Sequence, residues 1–128
     1  MFIRFVIAAR DEDSGRRQGL FQAAVELRAS GQMSDNDKQR LDEAEQWFRE
    51  NLPAPTRFAL SSKPHRKAQA ISWFRDTATE QIGRMRKFQA VLESYGYVVH
   101  MLRDRRPGYV VYQDEHQVVA YPFSDTSC

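Results

Sequence analysis

The sequence has almost no sulfur chemistry to draw on. Of its 128 residues one is a cysteine, Cys128. A single thiol cannot close a disulfide within the chain or complete a cysteine-based zinc cluster, and such thin cysteine usage fits a reducing compartment. Long apolar runs are missing as well. No window approaches the roughly 20 apolar residues that a membrane-spanning helix needs. The apolar run from Met1 to Ala9 is interrupted by Arg4 and has no basic segment ahead of it, so it reads as a strand rather than a secretion signal. These absences lead to the expectation of a soluble, cytoplasmic protein with no membrane partner.

An excess of one charge is also lacking. Nineteen basic and 17 acidic residues leave a net charge of +2, too little to imply nucleic-acid binding by itself. The distribution is less even than the total. Residues 63–106 carry a net +6, against −1 before them and −3 after them, which places a basic belt in the middle of the chain. There is no Gly-x-Gly-x-x-Gly fingerprint, no P-loop and no pair of histidines at i, i+4, so neither a nucleotide cofactor nor a zinc site is expected. No cofactor is expected on any other ground.

What remains is ordinary globular usage, 41% hydrophobic and 28% charged, in a length suited to one domain spanning 1–128. Residues 1–9 read as a strand whose near-continuous apolar run calls for cover on both faces. The Asp11–Gly15 turn follows, and from about Arg16 a helix is predicted, with Leu20, Ala23, Ala24 and Leu27 on its inner face and Gly31 as its left-handed cap. Ser34, three residues before Asp37, opens a second helix that Pro53 and Pro55 stop after Leu52, so 16–52 reads as a helical hairpin. Residues 53–69 form a basic, proline-containing connection. Ala70–Phe74 is a short strand, and Thr77 with Glu80 has capping-box spacing for a third helix lined by Ile82, Met85, Phe88, Leu92 and Tyr95. Tyr97–Leu102 is the next strand, joined to the previous one as a parallel crossover. Tyr109–Gln113 and Gln117–Tyr121 complete 70–123 as a βαβββ unit, leaving 124–128 as a tail. The fold class is α+β: one mixed sheet in the order β-α-α-β-α-β-β-β, three helices mainly on one face, and a closing antiparallel meander.

Few residue sets invite a chemical reading. Asp114, Glu115 and His116 sit between two β-branched and aromatic runs, where a hairpin turn accounts for them. Consecutive turn residues diverge, so the triplet cannot form a metal site alone. Ser14, Gly15, Arg16 and Arg17 follow a strand and open the predicted helix, and backbone N–H groups with two arginines there could hold an anion, although Asp11, Glu12 and Asp13 oppose it. The same three acids lack the alternate-position register of a calcium loop. Ser72 lacks a nucleophile elbow. Trp47 and Trp73 read as core residues rather than stacking platforms.

The basic belt is the stronger lead. Lys63, Arg66 and Lys67 lie on the connection, Arg84 and Lys87 on the third helix, and Arg103, Arg105 and Arg106 on a tight loop, where planar guanidinium forks suit phosphate or carboxylate. Arg84, Arg86 and Lys87 cannot share one helix face, since successive residues turn by about 100°. The expectation is a non-enzymatic binding or regulatory module that engages a nucleic acid or an acidic protein surface. The alternatives are a small hydrolase or nuclease built from Asp76, His100, Asp114, Glu115 and His116, and an inhibitor or adaptor that docks through an exposed aromatic edge.

Overall fold

The computed structural model describes residues 1–12, 15–52 and 70–128. Its elements are β1 (Phe2–Arg10), β2 (Arg17–Gly19), α1 (Leu20–Ala29), α2 (Asp35–Asn51), β3 (Ile71–Arg75), α3 (Thr79–Ser94), β4 (His100–Asp104), β5 (Tyr109–Gln113) and β6 (Gln117–Tyr121). The α+β class and the three helices agree with the sequence reading. No helix among the described residues is long and apolar enough to cross a membrane.

β1 organises the sheet. Its residues Ile3 to Ile7 are all buried, as the unbroken apolar run requires, and it has neighbours on both edges. β4 pairs along Phe2–Val6 on one side. On the other, β3 pairs with Phe2 and Ile3, while β2 pairs with Val6 and Arg10. β2 is the element the sequence reading lacked. The helix expected from Arg16 begins instead at Leu20, because Arg17–Gly19 supplies β1 with main-chain partners beyond the reach of β3. β6 pairs with β3 and β5 with β6, giving the path β2-β1-β3-β6-β5 with β4 on the far side of β1.

Every hydrogen-bonded ladder is antiparallel. β3 and β4 do run parallel, as the α3 crossover implies, but β1 lies between them. The expected closing meander is therefore the β5–β6 hairpin alone, since β4 serves β1 rather than β5. A central strand that is apolar on both faces has backbone groups to satisfy on both edges, and β4 satisfies one of them.

The helix ends show which local signals were sufficient. Ser34 caps α2, its hydroxyl accepting from the Asp37 N–H at 3.2 Å. Gly31 and Gly96 follow α1 and α3 with φ of 72° and 92°. The capping box expected at Thr77 and Glu80 is absent: Ala78 is the N-cap of α3 and no side chain caps it. The chain turns tightly there instead, with Ala78 N–H bonded to Arg75 O at 3.0 Å and Thr79 N–H to Thr77 O at 2.9 Å.

The sheet has a different core on each face. Ile3, Phe5, Ile7 and Phe74 face the helices, where Leu20, Leu27, Leu41, Phe48, Met85, Phe88 and Leu92 complete the larger core. Trp73 centres the opposite core with Ile71, Val118 and Cys128, and Phe2, Leu102 and Val110 pack against them. Leu102 and Val110 come from β4 and β5, at opposite ends of the strand order, so the sheet curls around Trp73. Chain length requires this. Five residue steps from Asp104 to Tyr109 reach at most about 18 Å, whereas four strand spacings of a flat sheet need about 19 Å.

Candidate binding surface

The polar residues between β5 and β6 form a closed turn. The Asp114 carboxylate accepts from His116 N–H at 2.8 Å, from Gln117 N–H at 3.0 Å, from Gln117 Nε2 at 3.0 Å and from the Tyr112 hydroxyl at 3.0 Å. Partial burial pushes its pKa up, but these donors outweigh burial and hold it below the ordinary carboxylate value. The same contact raises the Tyr112 pKa. A carboxylate engaged by four donors has no lone pair left for general-base work.

The other members of the hydrolase set do not all gather around it: Asp76 lies near the turn, since Arg75 N–H donates to His116 O at 2.9 Å, but its carboxylate pairs with the Met1 ammonium at 3.6 Å, and His100 lies apart. Asp76 adjoins Arg75, which pairs with Phe2, whereas His100 pairs with Val6 four residues along β1. That separation is roughly 13 Å at strand spacing. The His116 ring lies 3.9 Å from an exposed Glu115 carboxylate. No group of three or more His, Cys, Asp or Glu among the described residues is placed to hold a metal ion.

The cations of the belt fall into separate places. Lys63, Arg66 and Lys67 lie outside the described residues, as does Ser14 of the anion turn. Arg84 and Lys87, three residues apart on α3, line a groove of about 530 Å³ between α2 and α3 together with Arg40. Leu41, Ala44, Phe88 and Val91 form its floor, and Asp37 and Glu43 also line it. Arg84 lies over the Trp47 ring at 4.5 Å and reaches Glu80 at 3.8 Å. Asp37 is held below the ordinary carboxylate pKa by the Tyr95 hydroxyl, which donates at 2.6 Å, and by Ser34. Trp47 is thus a partly buried platform for Arg84, while Trp73 is a core residue, 1% exposed.

Arg103, Arg105 and Arg106 make a different surface at the end of β4. All three are exposed. Asp104, the acid among them, turns back to accept from the Arg106 N–H at 2.8 Å. Arg106 stacks over the Phe123 ring at 5.2 Å, and Phe123 meets Tyr109 edge-on at 4.8 Å. Tyr109 is 67% exposed, so guanidinium and aromatic surface occur side by side. Arg103 pairs with Ile3 and so faces the helix side of the sheet, where Arg86 lies over Phe5 and reaches Met101 Sδ at 3.4 Å. Pro107 is fully buried, and Gly108 packs its Cα against the Tyr121 carbonyl, which fixes the loop to β6.

The anion turn is built differently from the expectation. Gly15 takes φ of 69°, but Arg17 belongs to β2 and Gly19 caps α1, so this turn is not a helix N-terminus. The Arg17 guanidinium donates to Ser127 Oγ at 3.2 Å and Arg16 to Thr126 O at 3.4 Å. Sequence reasoning passed over Arg40 and the Tyr109–Phe123 pair, weighed Arg86 only as a member of the basic belt, and read Arg4 only as a break in the first apolar run. Only Arg4 carried a signal, as an arginine between apolar residues on a strand expected to be buried.

The chain matches no known family model, no curated protein and no solved structure.

Proposed function

We propose that the protein is a non-enzymatic binding module that docks on an acidic protein surface through Arg103, Arg105 and Arg106, with Tyr109 and Phe123 as the apolar part of the contact. One observation carries this reading: the exposed guanidiniums of Arg105 and Arg106 sit on a loop anchored by Pro107 and Gly108, that of Arg103 lies beside them near the end of β4, and the acid among them is turned onto the main chain. An anchored loop loses little freedom on binding, which favours affinity. Arginine and tyrosine are the side chains enriched where protein interfaces concentrate their energy. A low net charge and a patch of one short loop favour a protein partner over a polyanion, whose affinity rests on many phosphate contacts along its length.

The test uses two defined probes, a fluorescent polyglutamate peptide and a fluorescent oligonucleotide, followed by anisotropy across a salt series. The reading expects the peptide to bind the wild type, to weaken as salt rises, and to lose binding in a folded Arg103/Arg105/Arg106→Ala variant. Preference for the oligonucleotide would reassign the partner, and equal peptide binding by the variant would remove the loop from the function.

A further inference from the structure

Among the described strand margins, that of β4 is both long and regular. Natural sheets blunt their edges with short strands, bulges, cover or charge. β2 is three residues long, and the register of β5 against β6 shifts between Val110 and Tyr112. β4 instead pairs with β1 in one unbroken register, from Asp104 opposite Phe2 to His100 opposite Val6. In an antiparallel ladder every second residue turns its N–H and C=O away from its partner. Those outward groups of β4 have no main-chain partner among the described residues. His100 and Arg103 are exposed, and Met101, Leu102 and Asp104 are half-buried.

What guards this edge is charge of one sign. Successive strand residues alternate faces, so Arg103 and Met101 share the helix side with Ile3 and Phe5, their partners in β1, while Leu102 faces the Trp73 core. The Arg86 guanidinium reaches Met101 Sδ at 3.4 Å, which sets a second cation on the helix side of the edge. Neither Arg86 nor Arg103 has an ion pair among the described residues. The nearby acids are engaged or distant. Asp104 accepts from the Arg106 N–H at 2.8 Å, Asp76 pairs with the Met1 ammonium at 3.6 Å and Glu80 with Arg84 at 3.8 Å. Glu93 stands seven residues beyond Arg86 on α3, roughly 10 Å along the helix axis.

We propose that the acidic partner binds as an extended segment that adds a strand to the free edge of β4. This rests on the reading of Arg103, Arg105 and Arg106 as a dock for an acidic protein surface. Main-chain hydrogen bonds to the outward groups of β4 supply affinity, and side chains at alternate positions supply specificity. The segment that fits alternates acidic and apolar residues. Its acids lie on the helix side, opposite Arg103 and beside Arg86, and the apolar residue between them packs against Leu102 and extends the Trp73 core. A second copy of this chain is a poor occupant, because β4 against β4 brings two Arg86 and two Arg103 guanidiniums together.

The experiment compares two fluorescent peptides of equal composition by anisotropy, one alternating glutamate and valine, the other carrying them in separate blocks. The alternating peptide should bind about tenfold more tightly, because the block isomer sets a glutamate beside Leu102. With that peptide bound, amide hydrogen exchange read by NMR should slow at alternate residues of β4 and stay unchanged in β5. Arg86→Ala, at an exposed position of α3, should weaken the alternating peptide about threefold, the value of one exposed ion pair. Strand addition fails if the two peptides bind alike, if the β4 amides exchange as in the free protein, or if Arg86→Ala binds as the wild type does. Equal binding of both peptides that is lost in Arg103/Arg105/Arg106→Ala removes the added strand and leaves the arginine loop as the dock. Binding of neither peptide removes both.

Discussion

Replacing Gly108 with alanine should be among the most damaging single-methyl additions possible in this chain. A Cβ built there would lie 2.0 Å from the Tyr121 carbonyl oxygen, 2.6 Å from its carbon and 3.0 Å from the Pro122 Cα. The obstructing atoms are main chain, so no side chain can swing aside, and the φ of 156° adds strain for any residue with a Cβ. Relief requires the loop and β6 to part by more than 1 Å, roughly the shortfall from ordinary carbon–oxygen contact. Parting them loosens the Tyr109–Tyr121 end of the hairpin and unpacks Pro107. Strain and lost packing together amount to about 4 kcal/mol, at the upper end for a point substitution. In a domain of this size that is a fall in Tm of about 12–16 °C. Gly31→Ala is the matched control. Its φ is 72°, but nothing lies within 4 Å of the added Cβ, so it should cost only about 1–2 kcal/mol for the left-handed backbone. Thermal unfolding followed by circular dichroism measures both. If Gly108→Ala melts within a few degrees of Gly31→Ala, the loop is not clamped to β6 as described, and the preorganisation argued for Arg105 and Arg106 goes with it.

Two further outcomes concern titration. Asp114 has a depressed pKa in the fold, so its contribution to stability is present above the unfolded value of about 3.9 and is lost as pH falls through the lower folded value. Asp114→Asn should be less stable at neutral pH, and the gap to wild type should narrow in denaturant melts run toward pH 2; a gap that stays constant with pH would exclude the carboxylate's role. Tyr95→Phe removes the hydroxyl that donates to Asp37. The Asp37 pKa should then move up toward the ordinary carboxylate value in an NMR titration, and an unmoved pKa would show that Ser34 and Arg40 suffice.

Much of this fold was legible because its signals are local. The apolar run of β1 called for an interior strand, and both its edges are occupied. Leu20, Ala23, Ala24 and Leu27 repeat at helical spacing and are all buried. Asp114 read as a turn residue and accepts four hydrogen bonds in one. The misreadings share a different cause. Arg17-Gln18-Gly19 has no strand character of its own and becomes β2 only because β1 leaves backbone groups beside it unpaired. β4 follows α3 and precedes β5 in sequence, yet it pairs with neither of the strands flanking it in the chain, a choice set by β1 from nearly 100 residues away. The proposed binding surface was partly legible, since Arg103, Arg105 and Arg106 fall within four consecutive residues. Their aromatic partner Phe123 was not, because the β5–β6 hairpin brings it into contact. Arg4 looked like an interruption in an apolar strand; what covers it arrives from the other end of the chain.

The curl of the sheet has a consequence for how copies of this protein treat one another. A flat sheet ends in two rows of unsatisfied amides and carbonyls that can recruit a neighbouring molecule. Here the two outermost long strands are drawn onto one tryptophan, so the margins of the sheet turn toward each other, and the β4 margin also carries the exposed guanidinium of Arg103.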